Sequence, residues 1–217
     1  MCNKYRNRVR LELLKGAFKR PKVSPQLELD LTFSEGTPNL QPRDEISITE
    51  VAPIVRAAEP GAADLVSRPW SWKGPRGAPV FNFRSEGRKF GLASRCLVVT
   101  DGFYEFRTPE GPKAKRKDRW LFTMRGDEEL FFIAGYMRED AWAMLTVEPG
   151  PDIAPYHDRQ VVVLRPEQAA AWLTGAPEGE LLLPAPSGTL RAERMIPWGR
   201  WAAELRCQGY LDCLRRL

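Results

Sequence analysis

The sequence has few residues of the types from which most metal sites are built. His157 is the single histidine among 217 residues, and the four cysteines form no CxxC pair and no spacing typical of a zinc site. A histidine-rich metal centre and a mechanism with two histidines are therefore excluded, and we expect neither a metal nor a cofactor. Cys96, Cys207 and Cys213 are most simply small buried residues in a reducing compartment.

Long apolar segments are also missing. No run approaches the ~18 apolar residues that a membrane span requires. The first 20 residues interleave basic and apolar side chains, unlike a secretion signal, so we expect a cytoplasmic protein without a membrane partner. A hydrophobic fraction of 43% and a charged fraction of 28% are those of an ordinary globular protein. The net charge of +5 favours an anionic partner.

Short β-like runs dominate the middle of the chain. They lie at 46–48, 52–57, 63–67, 79–83, 95–99, 103–107, 120–124, 130–137, 142–147 and 159–165. Their spacing predicts a mostly antiparallel sheet, closed or nearly closed like a barrel, with peripheral helices in a single α+β domain.

Three segments have helical signals. Apolar residues recur at helical spacing over 8–20 and over 199–216. Pro166 and Gly175 stand at the positions where a helix over 166–175 would begin and end. The basic residues of 8–20 and of the run at 112–119 are either solvated charges or phosphate contacts, and the sequence leaves both interpretations open.

A cysteine directly follows the initiator methionine. Cys2 is small enough for Met1 to be removed, which would leave a free α-amine and a thiol on adjacent carbons. An internal cysteine cannot offer this pair, because its nitrogen is an amide. Considered alone, however, Cys2 is better explained by chance.

Three further polar residues accompany the strand-like runs. Glu105 stands between Tyr104 and Phe106, where burial would disfavour its charge and raise its pKa toward the range that suits general acid–base catalysis. Taken singly, Glu105 also fits a paired structural carboxylate, Asn82 a turn residue and His157 a loop histidine.

The four stretches together resemble the SOS-response-associated peptidase (SRAP) family, whose members sense abasic sites in DNA. The family begins Met-Cys and then shows Asn-Ala-Arg-Ser/Ala-Glu, Gly-Phe/Trp-Tyr/Phe-Glu-Trp, and His-Asp-Arg before a hydrophobic strand. The matching stretches here are MCN at 1–3, NFRSE at 82–86, GFYEF at 102–106 and HDR at 157–159. The resemblance implies a family domain over 1–195, with 196–217 as a helical tail packed on it or extending it.

The resemblance implies covalent capture of abasic sites in single-stranded DNA. The Cys2 amine, with a reference pKa of ~7.7–8.0, would attack the sugar aldehyde to form an imine, and the Cys2 thiol would close a thiazolidine ring. Glu105 would shuttle protons and assist removal of Met1. His157 would protonate the sugar ring oxygen, and Asn82 would hold the N-terminal residue or the sugar.

The family also implies a setting for this chemistry. We expect a monomeric peptidase-type enzyme of the DNA damage response, with autoproteolytic activity and lyase-like crosslinking chemistry. It would associate with the nucleoid when it is bound to DNA.

DNA contacts can be transferred in the same way. The family positions that meet phosphate are matched by Arg84, Arg159 and Thr146, with Arg95 a weaker candidate. Trp70 and Trp72 resemble a segment whose rings support or unstack bases beside the lesion, with core packing as the alternative. Lys4 replaces the usual arginine and loses bidentate phosphate geometry. Further departures at 45–49, at 65–66 and at Gln160 affect DNA geometry more than the reactive centre.

Two other functions remain open from the sequence. The first is an N-terminal-nucleophile hydrolase, in which processed Cys2 attacks a peptide or amide carbonyl. The second is a noncovalent DNA-binding module. Incubation with abasic and intact oligonucleotides separates all three functions, because only covalent capture gives a heat-stable band with the abasic strand.

Overall fold

A computed structural model describes residues 2–19, 28–109 and 117–195 of the chain. The strands within these residues are β1 (Lys4–Asn7), β2 (Asp30–Thr32), β3 (Arg43–Ser47), β4 (Val51–Ala57), β5 (Ala62–Pro69), β6 (Trp72–Lys73), β7 (Pro79–Val80), β8 (Asn82–Arg84), β9 (Arg95–Thr100), β10 (Gly102–Arg107), β11 (Asp118–Met124), β12 (Phe131–Arg138), β13 (Ala141–Val147), β14 (Gln160–Val161), β15 (Val163–Leu164) and β16 (Leu190–Met195). The helices are α1 (Leu11–Ala17), α2 (Pro166–Thr174) and α3 (Glu178–Leu181), with a 3₁₀ turn at Leu92–Ser94. The helix predicted over 199–216 and most of the basic run at 112–119 lie outside the described residues.

Two sheets form the body of the domain. The smaller has the order β16-β11-β10-β1-β3 and is antiparallel throughout. The larger has the order β14-β13-β12-β9-β4-β5-β2, with β15 beside β12 and β8 beside β13. Among the described pairings, β2 with β5 and β8 with β13 are parallel, as is the isolated bridge between Trp70 and Trp142. The predicted α+β domain with mostly antiparallel strands is confirmed.

Complete closure into a barrel, one of the two forms predicted, is absent, because the described strands form two open sheets. Within the described segments, β3 and β16 end the smaller sheet, while β2 and β14 end the larger one. Alternating hydrophobicity indicates which residues face a core, but it does not indicate whether the last strand of a sheet pairs with the first. Two open sheets and one closed sheet therefore produce the same sequence pattern.

The predicted helix ends are confirmed where a proline and a glycine mark them. Helix α2 begins at Pro166 and ends before Gly175, which adopts a left-handed conformation with φ of +98°. The helix predicted over 8–20 is shorter and covers Leu11–Ala17. The apolar run at 159–165 forms two short strands, β14 and β15, because its residues pair successively with β13 and β12.

Apolar side chains divide between two cores. One lies between the two sheets and includes Cys2, Tyr5 and Trp70. The other lies on the opposite face of the larger sheet beneath the helices and includes Phe18 and Trp172. Strand β9 is buried along its whole length because the larger sheet is covered on both faces. In the part of the chain that the structure describes, no helix is long and apolar enough to cross a membrane.

Candidate active site

The N-terminus is held inside the fold by strand β1, which lies between β10 and β3. Tyr5 is fully buried and its ring packs edge-on against Trp70 at 5.3 Å and Trp142 at 6.2 Å between centroids. Ile46 is its cross-strand partner on β3. Because this large side chain anchors β1 in the core, Cys2 is fully buried although it is only the second residue of the chain.

Three parts of Cys2 are each held by a different group. Its thiol donates to the carbonyl oxygen of Lys4 at 3.2 Å, and its own carbonyl oxygen accepts a hydrogen bond from Nδ2 of Asn82 at 2.7 Å. Its backbone N–H donates to the carboxyl group of Glu105. Burial, and then the nearby charge of Glu105, raise the pKa of the Cys2 thiol well above its ordinary value.

Glu105 faces the core between the sheets. Side chains alternate along β10, so Glu105 shares its face with Phe103, and its cross-strand neighbour on β11 is Trp120. Only 1% of Glu105 is exposed, and burial raises its pKa to about 7. The rise expected from its aromatic neighbours is therefore present. At neutral pH the carboxyl group is populated in both protonation states.

Asn82 reaches Cys2 from the edge of the larger sheet. It begins β8, which pairs in parallel with β13 and places Asn82 opposite Met144. Its Nδ2 is engaged by Cys2, while Oδ1 is buried and has no hydrogen-bond partner among the described residues. An unsatisfied buried acceptor is costly, so this oxygen is a candidate to bind a substrate donor.

His157 closes a turn that packs on the Glu105 face of the smaller sheet. The preceding residue, Tyr156, contacts Trp120 at 4.7 Å between ring centroids. Burial lowers the pKa of His157, and its Nδ1 accepts the backbone N–H of Arg159 at 3.0 Å. The neutral ring therefore carries its proton on Nε2. The carboxylate of Asp158 lies 2.8 Å from the same Nδ1 and gains a hydrogen bond only when the ring is protonated.

The structure thus brings Cys2, Asn82 and Glu105 into direct contact and places the His157 turn beside them. These residues come from separate parts of the sequence, and each is positioned by a different strand or turn. Among residues 2–19, 28–109 and 117–195, no group of three or more His, Cys, Asp or Glu side chains could hold a metal ion. The arrangement places a carboxyl group with a pKa of about 7 beside a protonated thiol and a peptide nitrogen.

Arg84 and Arg159, two of the predicted phosphate ligands, differ in exposure and in ion pairing. Arg84 is exposed and follows Asn82 on the same face of β8. Arg159 makes a two-pronged ion pair with Glu86 and donates to the carbonyl oxygen of Thr146 at 2.9 Å. Thr146 itself is buried beneath Arg159. A phosphate would meet Arg84 directly, whereas at Arg159 it would compete with Glu86.

Trp70 and Arg95 lie inside the fold. Trp70 is fully buried, stacks on Trp142 with 5.3 Å between centroids, and donates from Nε1 to the Phe81 carbonyl oxygen. Arg95 is 5% exposed, and its guanidinium stacks 4.1 Å from the Trp172 ring. That guanidinium also bonds Glu178 and backbone carbonyl oxygens. These contacts favour the core-packing alternative for Trp70 and a structural role for Arg95.

Trp72 lies away from Cys2, whereas Lys4 lies near it. Trp72 contacts Phe83 and Tyr136 on the face of the larger sheet that points away from Cys2. Lys4 lies near Cys2 but forms an ion pair with Glu45. Glu45 also bonds Arg119 at 2.7 Å. The structure therefore brings Lys4, but not Trp72, near the reactive cluster.

Two functional neighbours were missed from the sequence. Glu86 neutralises Arg159, and Glu45 neutralises Lys4. Glu86 lies within the NFRSE stretch, which offered a signal, since it stands two residues after Arg84. No sequence pattern indicated Glu45, because its partners are determined by the pairing of β3 with β1.

Several solved structures are similar to this chain. A protein from Bordetella bronchiseptica shares 19% identity with a TM-score of 0.66, covering 90% of this chain and 100% of that chain. A phage-related protein from the same organism shares 21% identity with a TM-score of 0.61, covering 90% and 95%. A protein from Bacteroides thetaiotaomicron shares 15% identity with a TM-score of 0.55, covering 88% and 92%. At these identities the likeness shows the fold alone.

The family comparison shows membership of a family, whereas the structural likeness shows only the fold. No curated protein matches the chain. The model of the SOS response associated peptidase (SRAP) family matches residues 1–195, which include Cys2, Asn82, Glu105 and His157. Since that match covers most of the sequence, the chain belongs to the SOS response associated peptidase family.

Proposed function

We propose that this protein captures abasic sites in single-stranded DNA as a covalent thiazolidine adduct of Cys2. The observation that carries the proposal is the contact between the Glu105 carboxyl group and the backbone nitrogen of Cys2. Removal of Met1 turns that nitrogen into an α-amine. Burial, which raises the Glu105 pKa to about 7 in the chain that retains Met1, then leaves a carboxyl able to exchange protons beside the amine that must lose them.

The first step joins the amine to the sugar. The neutral amine attacks the C1′ aldehyde of the opened deoxyribose, and a C–N bond forms. Glu105 accepts a proton from the attacking nitrogen and returns one to the departing hydroxyl group, so water leaves and an imine remains. A carboxyl that exists in both protonation states at neutral pH suits both transfers. Its place beside the Met1–Cys2 peptide bond also supports a role in removing Met1.

The second step closes the ring. The thiol sulfur adds to the imine carbon, an S–C bond forms, and the thiol proton passes to the nitrogen. Burial raises the pKa of the Cys2 thiol and the thiolate is the better nucleophile, so the thiol proton must leave as sulfur attacks; the Glu105 carboxylate can accept it and pass it to the nitrogen. A cysteine hydrolase instead needs a thiolate in a setting that lowers the thiol pKa. Burial and Glu105 raise the thiol pKa instead; capture depends less on a preformed thiolate than hydrolysis does, because its first bond is made by the amine.

Asn82 and His157 would hold and activate the sugar. Asn82 fixes the carbonyl group of Cys2 through Nδ2, and its buried Oδ1 can accept a hydrogen bond from a sugar hydroxyl group. Neutral His157 can donate from Nε2 to the ring oxygen as the sugar opens. Asp158, at 2.8 Å from Nδ1, would stabilise the ring whenever it becomes protonated.

The DNA strand would approach over the exposed side of this cluster. Arg84 is exposed beside Asn82 and forms no salt bridge with another described residue, which supports a phosphate contact. The net charge of +5 supports the same partner. The cellular role that follows is protection of abasic sites during the DNA damage response, in the cytoplasm and at the nucleoid.

The proposal is tested with abasic and intact oligonucleotides on denaturing gels, using protein whose loss of Met1 is verified by mass. We expect a heat-stable adduct with the abasic strand alone. Cys2→Ala should abolish it, leaving at most a weak imine that borohydride can trap. Cys96→Ala is the matched control, because Cys96 is also a fully buried free thiol. A full-strength heat-stable adduct from Cys2→Ala would contradict the mechanism, as would no adduct from processed wild-type protein.

A further inference from the structure

Trp120 lies directly opposite Glu105 on the neighbouring strand β11. Residues that face each other across an antiparallel pair point to the same side of the sheet, with Cβ atoms about 4.5–5.5 Å apart. The Trp120 side chain is half-buried and packs against the core that contains Cys2. Trp120 is therefore a direct neighbour of the carboxyl group that contacts the Cys2 nitrogen.

The Trp120 ring is held by the turn that carries His157. The preceding residue, Tyr156, has its ring 4.7 Å from the Trp120 ring and 5.2 Å from the Phe122 ring between centroids. Phe122 is fully buried and is two positions from Trp120 on β11, so both rings share one face. Packing on a buried ring and on the turn fixes the indole beside the reactive cluster.

The indole nitrogen of Trp120 is a buried donor that is not in use. Its Nε1 is buried and has no hydrogen-bond partner among the described residues. An indole N–H can only donate, and a buried donor without an acceptor is costly. The three fully buried tryptophans each donate from the same atom to a backbone carbonyl oxygen; they are Trp70, Trp142 and Trp172. Trp120 differs from them, so its N–H is available to a ligand.

The other donors of the cluster have acceptors of their own. The Cys2 thiol donates to the Lys4 carbonyl oxygen, and Nδ2 of Asn82 donates to the Cys2 carbonyl oxygen. In the proposed function, His157 donates to the ring oxygen of the sugar. When an amine attacks an aldehyde, negative charge develops on the aldehyde oxygen, and a donor already in place stabilises that charge. The unused N–H of Trp120, next to the carboxyl group that moves the protons, meets this need.

We propose that Trp120 is a further catalytic residue, whose indole N–H donates to the C1′ oxygen of the opened sugar. As the C–N bond forms, the π electrons of the carbonyl group move to that oxygen, and the hydrogen bond from Trp120 stabilises them. The indole keeps its proton, because it acts only as a donor; Glu105 supplies the proton with which the oxygen leaves as water. This inference rests on the proposed function, which makes the aldehyde of an abasic site the ligand.

Trp120→Phe removes the N–H and keeps an aromatic ring against Tyr156. The initial rate of crosslinking to an abasic strand should fall by about 10²-fold, the lower end of the cost of losing one donor to a developing oxyanion. The amount of imine trapped by borohydride at early times should fall by the same factor, because Trp120 acts in the first step. A wild-type result in either measurement would overturn the proposal.

Two controls separate the N–H from the shape of the ring. Benzothienylalanine at position 120 has sulfur where the indole has N–H and keeps the shape of the ring, so it should react as slowly as Trp120→Phe. Trp172→Phe removes a buried indole N–H that bonds the Cys96 carbonyl oxygen at 3.1 Å in the other core. It should lower the melting temperature and leave the rate per folded molecule unchanged. A wild-type rate with benzothienylalanine, or equal rate losses in Trp120→Phe and Trp172→Phe, would reduce Trp120 to a packing residue and overturn the proposal.

Noncovalent binding tests the same contact without the reaction. A strand with a reduced abasic site has a hydroxyl group at C1′ and no aldehyde, whereas a tetrahydrofuran site has no oxygen substituent at C1′. In fluorescence anisotropy, processed wild-type protein should prefer the reduced site by about 2–10-fold, the contribution of one neutral hydrogen bond. Trp120→Phe should lose that preference. The phosphates of the two strands are identical, so a contact of Trp120 with phosphate would give no preference and would overturn the proposal.

The two assays keep the inference and the proposed function separable. If wild-type protein forms no adduct but prefers the reduced site, and Trp120→Phe lacks that preference, then the Trp120 contact stands and abasic capture falls. If wild-type protein forms the adduct and Trp120→Phe forms it at the same rate, capture stands and the role of Trp120 falls alone.

Discussion

Glu105→Gln should lower the reaction rate and remove a penalty on stability that depends on pH. Gln keeps the size of the side chain and can still accept the N–H of Cys2, but it cannot transfer a proton. Initial crosslinking rates should therefore fall by about 10²–10⁴-fold, the usual contribution of general acid–base catalysis. Initial rates are needed because spontaneous ring opening of the sugar masks part of the loss at long times.

Stability should respond because Glu105 is destabilising in its charged form. Burial raises its pKa from 4.5 to about 7 in the folded protein. Between these values the folded state holds a proton that the unfolded state has released, so the free energy of unfolding falls as pH rises. At about 1.4 kcal/mol per pH unit, the full penalty above pH 7 is about 3 kcal/mol. The penalty disappears below the unfolded pKa.

The decisive quantity is how the difference between Glu105→Gln and wild type changes with pH. A Gln amide brings N–H groups that need acceptors, and an unsatisfied buried donor costs about 1–3 kcal/mol. That cost does not depend on pH. The free energy of unfolding of the variant relative to wild type should therefore rise by about 2–3 kcal/mol between pH 5 and pH 8.

Urea unfolding at several pH values measures this difference, with Glu86→Gln as the matched control. The bond from Arg159 lowers the pKa of Glu86 from 4.5, so its charged form stabilises the fold. Glu86→Gln should therefore lose stability, and this loss grows with pH only up to the unfolded pKa and is constant between pH 5 and pH 8. A wild-type initial rate in Glu105→Gln would remove Glu105 from the mechanism. A pH dependence like that of Glu86→Gln would identify Glu105 as a paired structural carboxylate.

Two further predictions concern the residues matched to DNA contacts. Arg84→Ala should weaken binding to intact single strands and lower the salt dependence of that binding by about one phosphate contact, without changing the melting temperature. Arg159→Ala should weaken binding and also lower the melting temperature, because it leaves Glu86 unpaired. Equal melting temperatures in the two variants would contradict this assignment. Trp70→Ala should lower the free energy of unfolding by about 3–5 kcal/mol, since it leaves a cavity beside Trp142. Wild-type stability together with lost DNA binding in Trp70→Ala would restore a base-stacking role.

Local structure was predictable wherever neighbours along the chain decide it. Pro166 and Gly175 mark the ends of helix α2 because their backbone preferences act within one turn. The raised pKa of Glu105 was predictable for a similar reason, since aromatic residues on both sides favour burial of its strand. The unusual chemistry of Cys2 follows from its position in the chain, whatever the fold.

The contacts of the candidate site were beyond the reach of local patterns. Asn82 bonds Cys2 across 80 positions of sequence, and the two meet because β8 lies at an edge of one sheet while β1 lies within the other. The resemblance to the family predicted that these residues act together. It did not predict which atoms touch, because that depends on strand register and on the packing of the two sheets.

The residues matched to DNA contacts differ in whether the fold buries or exposes them. Arg84, Arg95 and Trp70 are residue types that occur both at DNA surfaces and in protein interiors, so their identity could not decide between these places. The structure buries Arg95 and Trp70 and exposes Arg84. Sequence alone therefore determined most of the central strands, the helix that begins at Pro166 and the chemistry available at the N-terminus. Only the tertiary structure decided which charges are neutralised and which rings stay accessible, because pairing and burial depend on residues far apart in the chain.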